Sequence, residues 1–129
     1  MYTLASLVTL LVALMHAYFL LLEMFLWDKP LGLKTFAQSA EKAAVTKVMA
    51  ANQGLYNGFL CAGLIWGVAL GPAGDGIKLF CPSCVVIAGI FGALTVSRKI
   101  LYVQAAPAVL GLVLVLLSWV AVGCLAVVE

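Results

Sequence analysis

Glu23, His16 and residues 51–58 carry the side chains best suited to chemistry in this chain. The run 51–58 reads Ala-Asn-Gln-Gly-Leu-Tyr-Asn-Gly, so Asn52, Gln53, Tyr56 and Asn57 cluster inside a long apolar stretch. Polar groups within a membrane segment are costly, usually face the protein interior and mark functional sites by default. A carboxylate and an imidazole there can exchange protons with a bound molecule, while amides and a phenol orient it and stabilise developing charge. Each residue also has a plainer role. Glu23 could sit near the headgroups, paired with Lys29 or Lys47. His16 could make one hydrogen bond between helices. The amides could be helix glue, contributing about 1 kcal/mol each. Four such groups on one helix exceed what packing needs, which favours a ligand site. Haem or metal ligation is weak, because no second histidine or suitably placed carboxylate stands at ligand spacing. No cofactor and no metal are expected.

The elements that must hold these residues follow from composition. Of 129 residues, 66% are hydrophobic and 9% charged, against about 25% charged in soluble domains. The apolar residues come in runs of about 20, the length a bilayer demands. The pattern predicts an all-α, integral membrane four-helix bundle, one domain over residues 1–129, with spans near 3–27, 43–70, 77–97 and 100–128. The first span lacks a basic start and a small-residue cleavage site, so it is expected to remain as a span. Asp28-Lys29-Pro30 closes it, residues 28–43 form a polar connection, and Ser39 is a candidate N-cap for the second span. A net charge of +2 without a basic cluster argues against nucleic acid; the lipid bilayer is the expected partner.

Lys and Arg set orientation. Lys29, Lys34, Lys42 and Lys47 lie on or beside the first connection, and Arg98 and Lys99 on the third. The opposite side has Lys78. Both termini are therefore expected outside, in a multi-pass protein of the cell inner (plasma) membrane.

At about 100° per residue, His16, Glu23 and Trp27 fall on one stripe of the first span. Asn52, Gln53, Tyr56 and Asn57 share a broad face of the second, continued by Gly63, Gly67 and Gly71. Thr95 and Ser97 close the third span on the same side; Tyr102 and Gln104 open the fourth, and Pro107, a turn deeper, can loosen the backbone. These positions predict a polar cavity facing the cytoplasm, with Glu23 as its carboxylate and His16 at its floor. Trp27, Thr95, Tyr102 and Gln104 complete the ligand-binding set.

Taken together, His16-Ala17-Tyr18, Glu23-Met24-Phe25-Leu26-Trp27, Lys47 with residues 51–58, and Gln104 followed by Pro107 resemble the small bacterial membrane proteins known as domain of unknown function 1304. The resemblance covers nearly the whole chain. It implies a four-helix membrane protein and these residues as the shared site. Cys81-Pro82-Ser83-Cys84 departs from the mostly apolar residues expected there.

The leading functional reading is a small lipophilic molecule bound in that pocket, with isomerase-like proton transfer by Glu23 and His16 if the protein is an enzyme. The runner-up is a dimeric proton-coupled transporter, with glycines of the second span, Gly89 and Gly92 available to a homodimer interface. A thiol oxidoreductase using Cys81 and Cys84 at a helix start, with Cys61 mid-span and Cys124 as a single partner, ranks lower, as does a structural assembly protein.

Overall fold

The computed structural model describes the backbone of residues 1–126 and the side chains of residues 1–121. The side chain of Cys124 lies outside the described residues. Every regular element among the described residues is helical: α1 Tyr2–Met24, α2 Pro30–Thr35, α3 Ala40–Ala69, α4 Asp75–Thr95 and α5 Ala106–Ala126. A 3₁₀ turn, Gly71–Gly74, leads into α4, and a π-helical turn, Leu101–Ala105, leads into α5.

Among the described residues, three stretches are long and apolar enough to cross a membrane: Tyr2–Met24, Gly71–Thr95 and Leu101–Ala121, with mean hydropathies of 2.2, 2.0 and 2.1. A helix meets the membrane's main demand by pairing its own backbone polar groups. The 30 residues of α3 reach about 45 Å at about 1.5 Å each. Glu41, Lys42, Lys47 and the amides of residues 52–57 make it less apolar than the other three.

The chain packs as two compact units. The first, Leu14–Ala62, holds the end of α1, α2 and about the first three-quarters of α3. Here α1 stops at Met24, so Trp27 lies beyond it and not on its stripe with His16 and Glu23. Pro30 opens the short α2, where a missing N–H costs nothing. Ser39 does cap α3: its Oγ accepts the Lys42 backbone N–H at 3.3 Å. The buried positions of α3 in this unit are Ala43, Ala50, Gly54 and Asn57. Their spacing of seven, four and three residues puts them on one face, and all but Asn57 are small.

The second unit joins Met1–Ala13 to the chain from Gly63 onward. Its core is Ala5, Leu114 and Val115, with Val8 and Leu79 packed against them. Gly89 lies against Ala105 and Gly92 against Ile100. These two glycines serve contacts within the chain, whatever a second copy does. The π-helical turn has a local cause. In a regular helix the Pro107 ring would press on the carbonyl of Val103, four residues back. The wider turn just before α5 relieves that pressure.

Candidate functional site

In the first unit Glu23 meets Asn57. The Asn57 Nδ2 donates to Glu23 Oε2 at 2.6 Å. Asn57 is 5% exposed and Glu23 is half-buried. Small residues on α3 make the approach possible. A Cβ on Gly54 would stand 2.6 Å from Met24 Cγ and 3.1 Å from both Glu23 Cβ and the Met24 backbone nitrogen. A Cβ on Gly58 would stand 2.6 Å from Leu20. The glycines thus set the distance at which the amide reaches the carboxylate. His16, seven residues before Glu23 and so about two turns along α1, is fully buried, its ring edge-on to Phe19 at 6.3 Å.

The rest of the polar run divides. Asn52, Gln53 and Tyr56 are exposed in the chain, Tyr56 at 53%. Tyr56 sits edge-on to Phe59 at 6.1 Å. At about 100° per residue, Tyr56 points about 100° away from Asn57, and Asn52 about 140° away. The broad face expected from spacing is therefore an arc, of which α1 covers the Asn57 edge.

Trp27 organises the connection. Its indole N–H donates to Thr46 Oγ1 at 3.1 Å, and its ring lies 4.7 Å from that of Phe36. Lys47 Nζ binds Asp28 at 2.7 Å and Lys29 Nζ lies 3.9 Å from the other Asp28 oxygen, so both cations that could have paired with Glu23 are engaged elsewhere. The hydrogen bond from Lys47 holds the Asp28 carboxyl below its usual range.

The other candidates lie in the second unit. Thr95 returns its hydroxyl to the Phe91 carbonyl at 2.8 Å. Tyr102 and Gln104 fall in the π-helical turn, Tyr102 at 72% exposed and Gln104 half-buried. Such turns often mark functional places in helices. An apolar cavity of about 290 Å³ opens there between Val86, Ile90, Tyr102 and Val109. Cys81 and Cys84 lie in the second and third turns of α4, which begins at Asp75. They are not at a helix start, and the thiol-activating position expected from C-P-x-C is absent.

A second polar cluster escaped the sequence reading. Lys78 is fully buried, and its Nζ reaches Asp75 Oδ1 at 2.5 Å, Tyr2 Oη at 2.9 Å and the Gly71 carbonyl at 3.0 Å. Gly71, at φ +63°, turns that carbonyl toward it. Trp119 Nε1 donates to the other Asp75 oxygen at 2.5 Å. Asp75 and Lys78 are three residues apart on α4, but Tyr2 and Trp119 stand 76 and 44 residues from their partners, and no local spacing brings them in. A cavity of about 640 Å³ adjoins it, lined by Tyr2, Pro72, Asp75, Ser118 and Trp119. Among the described residues, no three His, Cys, Asp or Glu side chains gather as a metal site.

The geometry can now be set beside known proteins. The profile of the DUF1304 proteins of unknown function matches residues 10–116. The chain belongs to the DUF1304 family. It is 30% identical over 112 residues to the uncharacterized protein YpaA of Lactococcus lactis subsp. lactis (strain IL1403), covering 85% of this chain and 94% of that protein. No solved structure matches. The DUF1304 match takes in His16, Glu23, Asn57, Lys78 and Gln104, and leaves out Tyr2 and Trp119.

Proposed function

We propose that this DUF1304 protein crosses the inner membrane four times, with α3 as the fourth crossing, and binds a small lipophilic molecule at Glu23 and Asn57. The observation that carries the reading is the partner of Glu23: a buried amide, not a cation. A carboxylate paired with Lys or Arg is locked in its charged form. One paired with an amide can take up or release a proton while keeping a neighbour. That is what proton transfer to a bound molecule requires. His16, buried two turns along the same helix, is the second proton carrier. Asn52, Gln53 and Tyr56, on the open part of the arc, orient the ligand.

Three features support a cytoplasmic position for this pocket. Lys29, Lys34, Lys42 and Lys47 gather on or beside the connection next to Glu23. Arg98 and Lys99 lie on the connection before α5. Lys78 is neutralised by Asp75 and so weighs little against them.

A Glu23→Gln variant tests the reading. It keeps an acceptor for Asn57 and removes the exchangeable proton. Lipid extracts co-purifying with both proteins, compared by mass spectrometry, should show a species held by the parent protein and lost from the folded variant. Identical extracts from the two would refute the site.

A further inference from the structure

The cluster at Tyr2, Asp75, Lys78 and Trp119 plays no part in the proposal above. An ionisable pair within apolar helices is expensive, and this one adjoins a cavity of about 640 Å³. Its hydrogen bonds can be accounted for atom by atom. Lys78 is ion-paired with Asp75 and donates hydrogen bonds to the Tyr2 hydroxyl and the Gly71 carbonyl. Lys78 is fully buried and lines no part of the cavity. Ser118 gives its proton to the Val115 carbonyl. Two capacities remain on the cavity wall. The Tyr2 hydroxyl accepts from Lys78, so its own proton is available to donate. Asp75 Oδ1 is buried in the ion pair with Lys78, while Oδ2 accepts from Trp119 and retains a second lone pair. A donor and an acceptor thus stand side by side, next to the Tyr2 and Trp119 rings and Pro72.

Charge decides what such a wall accepts. Asp75 and Lys78 cancel, so the site is closed as an ion pair. An added ammonium would meet the fixed Lys78 charge across a shared carboxylate. An added carboxylate or phosphate would face Asp75, with the ammonium sealed behind it. In a low-dielectric setting either mismatch is severe. A neutral hydroxyl both accepts and donates, and it matches the two free capacities.

We propose that this cavity is a second binding site, taking a neutral, hydroxyl-bearing amphiphile whose hydroxyl bridges Tyr2 and Asp75 and whose apolar body lies against Trp119 and Pro72.

Trp119 is the reporter. In a protein carrying Trp27→Phe and Trp66→Phe, Trp119 is the one indole left. The probes are long-chain alcohol, amine, carboxylate and alkane of equal length, each brominated near the head end to quench the indole. The expected result is saturable quenching by the alcohol, about tenfold tighter than by the other three, as one to two hydrogen bonds in an apolar site would give. Tyr2→Phe keeps the ring and should bring the alcohol down to the alkane. Unsaturable quenching, or equal affinity for all four probes, would reduce the cavity to ordinary bilayer contact. Preference for the amine would show that the carboxylate alone governs the site. The four-probe comparison needs no change at Tyr2, so it stands even if Tyr2→Phe does not fold.

Discussion

Asn57 donates to Glu23 across 2.6 Å, with Gly54 one turn before it on the same face of α3. The glycine admits the carboxylate-bearing helix, and the amide then receives it. The two roles separate by mutation. Asn57→Leu leaves the Glu23 carboxylate without its donor and should cost about 1–3 kcal/mol of stability. Glu23→Gln retains an amide acceptor and should cost less than about 1 kcal/mol. Unfolding in detergent, followed by circular dichroism, would order the two; a larger loss for Glu23→Gln would contradict this account.

Gly54→Ala tests the close approach. The added methyl meets Met24 and the Glu23 Cβ too closely, and one contact is the Met24 backbone nitrogen, which cannot rotate away. A loss of about 1–3 kcal/mol is expected, as for an overpacked core. Gly76, whose Cβ would meet nothing within 4 Å, is the control, and Gly76→Ala should be near neutral or slightly stabilising. Equal thermal shifts for the two variants would argue against a steric role for Gly54.

Lys78 and Asp75 should behave as a unit. Removing one partner strands a buried charge, and Lys78→Met alone should cost about 3–5 kcal/mol. Replacing both, as Lys78→Met with Asp75→Asn, should recover most of that loss, because no isolated charge remains. A double-mutant cycle on melting temperature would expose strict additivity, and additivity would mean that the ion pair does not couple in the membrane.

Asp28 gives a pH signature in the connection. Its carboxyl is held below the usual range by Lys47, so the folded form binds its proton more weakly than the unfolded chain does. The contact's stabilising effect is full above the ordinary carboxyl value, about pH 4, and fades as pH falls through the depressed one. Hydrogen-exchange protection of residues 28–47, taken relative to the intrinsic rate at each pH, should be flat near neutrality and fall only in acid, with Lys47→Met removing the acid step. A step near neutral pH would point to a different group.

The orientation can be read in intact cells. With the native cysteines replaced, a cysteine at the exposed Ala73 should react with an impermeant thiol reagent added outside, and one at Ser39 should not. Labelling of Ser39 alone would invert the arrangement and move the proposed Glu23 site to the outer face.

How much of this was legible beforehand differs from residue to residue. Ser39 as a cap and Pro107 as a disturbance follow from rules that act within a few residues, and the structure shows both. The apolar runs announce helices because composition and length act along the chain. Trp27 was misplaced on the α1 stripe because helix ends depend on the connection, here on the Trp27–Thr46 bond and the Phe36 ring.

The sequence by itself determined a helical, apolar chain carrying Glu23, His16 and a polar run, because burial and backbone pairing in lipid leave little other choice. Tertiary structure alone decided that Asn57, of the four polar candidates, receives Glu23, because side-chain direction relative to a neighbouring helix is not a local property. It also decided that Tyr2, Asp75, Lys78 and Trp119 share one network. Asp75 and Lys78 are neighbours on one helix, but Tyr2 and Trp119 reach them only when packing closes the long loops between, and no spacing rule within one segment carries that information.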